Sequence, residues 1–425
     1  MDRNCEKYNR FIEILKEELI PAMGCTEPIA LAYAAAAARE TLGRLPERVS
    51  LEICGSIIKN VKSVIVPNTG HMKGIEAAAA AGIVAGRAEK KLEVLSEVDD
   101  ADLKKIRAYA EETPIVVKHV ETGHVFDITV TVYAGSDSAK VRICDHHTNI
   151  VLIEKNGEVR FCRDEGEIAN AEENEILNLK DIWDFATSVD TRDVRDLLER
   201  QIAYNCAIAE EGLRGNYGAN IGKVLLTTGD AEAVGVRARA KAAAGSDARM
   251  NGCELPVIIN SGSGNQGITC SVPVVEYAHA LYVPHEQLLR ALVLSNLVAI
   301  HEKSGIGTLS AYCGAVSAAV GASAAISYLE GGDYEEYIHT ISNALAISSG
   351  IVCDGAKASC AAKIAVALDS ALLANSMWKC GQEFKSGDGL VCSDVEKTIA
   401  NIGRLGRVGM KQTNEEIIDM MINNK

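Results

Sequence analysis

Aromatic side chains are scarce in this sequence. Phe, Trp and Tyr together make up 4% of its 425 residues, although hydrophobic residues as a whole reach 48%. The core must therefore be built from Ala, Val, Ile and Leu, and alanine-rich helices that approach closely leave narrow polar crevices. Positive charge is also short. The formal charge is −15 and no basic run occurs, which argues against nucleic acid and against an anionic membrane surface as partners. No uninterrupted apolar run has the length to span a bilayer. Charges interrupt residues 1–20, so no leader is expected there. Cysteine, by contrast, is plentiful, with thirteen scattered through the chain. An odd, scattered set fits a reducing cytoplasm, where thiols serve as core filler, metal ligands or catalysts.

The length allows two or three domains. Phe11, Ile12, Ile14, Leu15 and Leu19 mark an amphipathic helix over 5–19. Gly24-Cys25-Thr26-Glu27-Pro28 then opens an almost wholly apolar helix, with Pro28 tolerated in its first turn. Cys25 thus stands just before a helix start, where the dipole favours a thiolate. Strands are expected at 49–54, 64–66, 115–120, 125–133, 140–145 and 149–154. The charged stretch 163–178 reads as a linker. Helical periodicity dominates beyond it, beginning with 190–212 and including 308–329 and 356–375. The expected class is α+β: an N-terminal α/β domain over 1–165 with a mixed or antiparallel sheet, then a larger all-α domain over 166–425.

Three stretches carry chemistry. Pro67-Asn68-Thr69-Gly70-His71-Met72-Lys73-Gly74 feeds a helix start, which suits a carboxylate held by Thr69 and Lys73. A plain strand-to-helix turn fits it as well. Ser261-Gly262-Ser263-Gly264-Asn265-Gln266-Gly267 also precedes a helix. Its glycines let N–H groups converge, and Ser261, Ser263, Asn265 and Gln266 add side-chain hydrogen bonds for a carboxylate. It is no dinucleotide fingerprint, since no βαβ unit or acidic ribose ligand follows, and a helix cap remains an alternative. His301, at a helix end, suits capping as well as base catalysis. The third stretch is Cys353-Asp354-Gly355-Ala356-Lys357-Ala358-Ser359-Cys360, with Cys313 upstream, one turn into the helix expected at 308–329. The Cys-x6-Cys interval is wrong for a zinc finger or ribbon. By local rules these cysteines fit buried filler as well as ligands. The physical case for a cluster is that three thiolates on a four-iron cube leave one iron open as a Lewis acid.

Taken together, Gly24–Pro28, Ser261–Gly267, Gly307-Thr308-Leu309-Ser310-Ala311-Tyr312-Cys313-Gly314 and Cys353–Cys360 resemble the L-cysteine desulfidase family. That family is related through its helical domain to the iron–sulfur L-serine dehydratases, and the similarity runs nearly end to end. The resemblance implies an oxygen-sensitive [4Fe–4S] cluster and conversion of L-cysteine to hydrogen sulfide, ammonia and pyruvate. It matches Cys313, Cys353 and Cys360 to the cluster ligands, and Asn265–Gly267 to a substrate-side loop. Cys25 matches a further family cysteine, a base or a reversible ligand of the fourth iron; His71 is the second candidate base. Serine dehydratases carry a serine- and histidine-rich stretch where this chain has Cys25-Thr26-Glu27, which tilts the expectation toward desulfidase. An L-serine or L-threonine deaminase, a cluster-bearing redox sensor and a cluster-free carboxylate binder are the rivals. The expected partner is a small amino-acid substrate, and a homodimer is expected.

Overall fold

The computed structural model describes residues 1–163, 176–307 and 309–423. Helix α1 (Glu6–Glu18) buries Phe11, Ile14 and Leu15. The three-residue strand β1 (Pro21–Met23) leads to α2 (Thr26–Leu42), which is buried along most of its length because its alanines let neighbours close on every side. Next come β2 (Arg48–Ile53), α3 (Gly55–Val61), α4 (Ile75–Ala85) and α5 (Asp100–Glu112). Five strands follow: β3 (Ile115–His119), β4 (Asp127–Ala134), β5 (Asp137–Cys144), β6 (Ile150–Lys155) and β7 (Glu158–Cys162). They join β2 in one six-stranded sheet of order β3-β2-β4-β5-β6-β7. Only β2 and β3 run parallel, so the sheet is mixed. Helix α2 packs on β4, β5, β6 and α4, and the alternating Ile128, Val130 and Val132 of β4 are fully buried.

Helices then take over: α6 (Leu179–Ser188), α7 (Arg195–Arg214), α8 (Ile221–Thr228) and α9 (Val234–Met250). Past the short strand β8 (Pro256–Ile258) lie α10 (Gly264–Ala280), α11 (His285–Ile306), α12 (Ala315–Leu329), α13 (Tyr334–Ile347), α14 (Cys360–Lys379), α15 (Val395–Arg404) and α16 (Lys411–Asn423). The fold is therefore α+β. Among the described residues α14 is the one helix long and apolar enough to cross a bilayer; here it packs against α9, α12 and α13.

Two ties cross the chain. Strand β1 pairs antiparallel with β8, Pro21 opposite Ile258. Helix α16 returns to α3, where buried Lys59 Nζ donates to Asn414 Oδ1 at 2.6 Å.

Several expectations need correcting. Residues 64–66 form no strand; Ile65 only bridges Lys73, because the chain doubles back and Val66 N–H donates to the Met72 carbonyl. The helix expected from 190 starts at Arg195, after a single 3-10 turn at Thr191–Asp193, and α6 precedes it. Residues 309–314 are loop, so Cys313 lies ahead of α12 and not within a helix. Of the stretch 163–178, residues 164–175 lie outside the described residues.

Candidate functional site

Two of the three cysteines read as ligands, Cys313 and Cys353, sit on two laced loops. Cys313 N–H donates to the Ile351 carbonyl at 2.9 Å, and Cys353 N–H to the Ala311 carbonyl at 2.7 Å. This short antiparallel bridge, with Tyr312 opposite Val352, sets the two thiols side by side. Cys360 is the first residue of α14, its N–H bonded to the Lys357 carbonyl. Between them, Asp354 is gripped by Lys357 and Lys363, which outweigh its burial and hold its carboxyl down at about 2. Lys363 also donates to the Val352 carbonyl at 2.7 Å, so the loop is braced from both sides.

Charge around the thiols is positive. The Cys313 thiol donates to Cys353, and nearby Lys59 and Lys363 add to this, so Cys353 lies well below the usual thiol range despite its burial. Its partner Cys313 is pushed up, first by that shared hydrogen bond and then by burial. Burial lowers Lys59, whose Nζ also reaches the Cys353 carbonyl at 3.4 Å. It brings Lys303, bonded to the Gly307 carbonyl, down to about 8.

A cavity of about 800 Å³, its mouth included, joins these loops to a second wall. Cys25, Thr26 and Glu27 contribute from the start of α2, Arg249 from the end of α9, and His147 from the β5–β6 turn. Ser261, Ser263, Asn265 and Gln266 line it from the loop before α10 and its first turn. The Gln266 amide lies against the backbone of Gly314, next to Cys313. Thr26 Oγ1 donates to the Gly262 carbonyl at 3.0 Å and so pins the α2 start to that loop.

Cys25 departs from the helix-dipole expectation. It is the N-cap residue of α2 but makes no side-chain cap bond there. Its Sγ donates to Glu27 Oε2 at 3.1 Å. Burial, then the Glu27 charge, push this thiol well up, against a weaker pull from Arg249. A buried thiol beside a carboxylate keeps its proton.

Five residues lining the cavity carry buried polar atoms with no partner: His147 Nε2, Arg249 Nε, Asn265 Oδ1, Gln266 Oε1 and Tyr312 OH. Buried polar groups in native proteins are paired with few exceptions, so five on one cavity mark the wall of a polar binding site.

The sequence model of the serine dehydratase alpha chain family matches residues 89–419. The chain belongs to that family. It is 56% identical over 426 residues to a UPF0597 protein of Desulfitobacterium hafniense, covering 100% of this chain and 99% of that one. Similar proteins of the same UPF0597 description occur in Lachnoclostridium phytofermentans (52% over 421 residues, 98% and 100% covered) and Treponema denticola (47% over 429 residues, 99% and 100%). Membership makes the chain an iron–sulfur serine-dehydratase-like protein.

The donor set suits such a group. None of the thirteen cysteines is in a disulfide, and Cys313, Cys353 and Cys360 line one cavity among buried lysines. Among the described residues these three do not crowd within 4.8 Å of one another as ligands of a single ion would. Thiolates spaced around a cavity match a cluster, which stands between its ligands.

Not every residue singled out from the sequence arrives here. Thr69, His71 and Lys73 line no part of this cavity. The Thr69 hydroxyl is spent on the Val66 carbonyl at 2.7 Å, and His71 and Lys73 are exposed. His301 Nε2 pairs with Glu396 at 2.7 Å and lies elsewhere. Conversely, His147, Arg249, Lys303 and Tyr312 were not singled out. No sequence signal set them apart: α9 carries Arg237, Arg239, Lys241 and Asp247 besides Arg249, and His147 stands beside His146 in a turn.

Proposed function

We propose that the protein is an iron–sulfur lyase that converts L-cysteine to hydrogen sulfide, ammonia and pyruvate without pyridoxal phosphate. The reading is carried by one observation: three cysteines and five residues that carry unpartnered buried polar atoms line the same cavity. Cys313, Cys353 and Cys360 would hold a [4Fe–4S] cluster, which supplies an iron with an open coordination position as Lewis acid. Cys25 faces the same space as the fourth thiol.

The remaining lining groups bind and orient. Arg249 is the cavity's guanidinium and takes the substrate carboxylate, with the Asn265 and Gln266 amides placed for the ammonium and carboxylate edges. Elimination removes the Cα proton and breaks the Cβ–S bond, giving sulfide and aminoacrylate. Tautomerisation to the imine and addition of water release ammonia and pyruvate. Burial of the lining groups keeps bulk water from the carbanionic stage.

Deamination of L-serine is the second reading, favoured by the family's description. Protein reconstituted anaerobically with iron and sulfide is expected to form pyruvate and sulfide from cysteine in equal amounts, and pyruvate from serine far more slowly. Faster turnover of serine would select the second reading, and an iron-replete protein inert toward both would overturn each. Arg249→Gln should keep its iron and raise KM for cysteine by roughly 10- to 100-fold, the scale of a lost charge-assisted bond. An unchanged KM would remove Arg249 from the substrate site.

A further inference from the structure

We propose that His147 is the base that takes the Cα proton of the substrate, a role that rests on the elimination reading above. The residue lies in the turn between β5 and β6, and that turn is built to hold it still. Asn149 closes the turn, its carbonyl accepting from Cys144 N–H at 3.1 Å and its side chain donating to the Cys144 carbonyl at 2.9 Å. Asp145, at φ +63°, is fixed by His124 Nδ1 at 3.1 Å. The imidazole itself meets the Phe126 ring edge-on at 4.8 Å between centroids. On another side it abuts Gly262, where an added Cβ would lie 3.0 Å from His147 Cε1. Gly262 also has φ +76°, so two demands at that position exclude a side chain. The ring is thus clamped, 8% exposed, with Nε2 left without a hydrogen-bond partner on a cavity-lining residue.

The other proton acceptors of the cavity are engaged or blocked. Cys25 holds its proton and gives it to Glu27 Oε2 as a hydrogen bond. The Thr26 hydroxyl, with one proton to give, lies 3.1 Å from the same Glu27 oxygen and 3.0 Å from the Gly262 carbonyl. Lys303 is tied to the Gly307 carbonyl. The Asn265 and Gln266 amides and the Tyr312 phenol are too weakly basic to serve. Burial lowers His147 from its ordinary value, which keeps the imidazole neutral and able to accept.

The step balances simply. Nε2 takes the proton from Cα, and the freed electron pair forms the Cα–Cβ double bond. The Cβ–S bond breaks, and its electron pair leaves with sulfur as hydrogen sulfide ion. The imidazolium then releases that proton to solvent, and the aminoacrylate takes a solvent proton at its methylene carbon as it becomes the iminium, which water hydrolyses to pyruvate and ammonium.

The test uses the reconstituted holoenzyme and L-cysteine labelled with deuterium at Cα, following label release to water beside pyruvate. His147→Ala is expected to keep its iron and its KM within about threefold, and to lose roughly 10²–10⁴ in kcat and in label release together. Added imidazole should restore part of both, as a merely structural loss would not allow. His147→Gln, which fills the same space, should be as slow and gain nothing from imidazole. Wild-type-like kcat in both variants, or retained label release in His147→Ala, would overturn the assignment while leaving the elimination reading intact. A wild-type holoenzyme inert toward cysteine and serine would instead overturn that reading, and the base with it.

Discussion

Cys353→Ala, purified without oxygen, should emerge colourless, with iron near background and turnover at least about 10³-fold below wild type. Two contacts make this the most informative of the thiol substitutions. The loop carrying Cys353 is held by backbone bonds, Cys353 N–H to the Ala311 carbonyl and Cys313 N–H to the Ile351 carbonyl, and none of these depends on the side chain. Lys363 and Asp354 brace the same loop from outside. Removing the sulfur would therefore delete a proposed ligand and leave the fold. It also takes away the thiol already disposed toward the thiolate form, beside Lys59 and Lys363. Cys25→Ala gives the contrast: iron and the absorbance at about 400 nm should persist, since Cys313, Cys353 and Cys360 remain. A Cys353→Ala protein that keeps its iron would remove Cys353 from the ligand set.

Gly267→Ala should cost about 3 kcal/mol or more in stability and lower Tm by roughly 5 °C. An added Cβ would lie 1.9 Å from the Ile258 carbonyl oxygen, in the first turn of α10 where it crosses β8. Strand β8 has nowhere to retreat. Ile258 N–H donates to Asn205 Oδ1 at 2.8 Å, its carbonyl accepts from Asn205 Nδ2 at 3.1 Å, and Asn205 is itself fixed to Ser271 Oγ. On the other side β8 is paired with β1, whose three residues run directly into Gly24-Cys25. The clash must therefore tilt α10, displace the 261–266 loop, or break the ribbon, and each of these disturbs a wall of the cavity. Denaturant titration reads the loss; an unchanged midpoint would show that α10 moves off β8 at little cost.

Five of the sheet's six strands (all but β7) and most helices were legible because their patterns are local. Alternation in β4 and the apolar stripes of the long helices survive any tertiary arrangement. Strands β1 and β8 were not legible, since three residues carry no period and each exists only through the other. The loop around Cys313 was mistaken for helix because small apolar residues flank it, whereas its backbone is bonded to 351 and 353 across a distant turn. The cysteines and the 261–266 loop stood out by residue type. His147 and Arg249 did not, because their meaning lies in what folds against them. The turn at 67–74 showed the opposite failure: its local chemistry suited an anion, but Thr69 is consumed by its own turn. Cys25 illustrates a contest between effects. Proximity to a helix start lowers a thiol, but burial beside Glu27 raises it by more.

The ribbon of β1 and β8, together with the hydrogen bond from Thr26 to Gly262 across 236 residues of chain, has a consequence for biosynthesis. The segment bearing Cys25 is made before its partners and then waits. The loop that Thr26 bonds is made only 236 residues later, and Cys353 and Cys360 follow later still. Closing so long a loop is slow compared with forming any single helix. A cluster on the proposed ligands would therefore form only after Cys360 has been made, and a chain broken before that residue could not hold it.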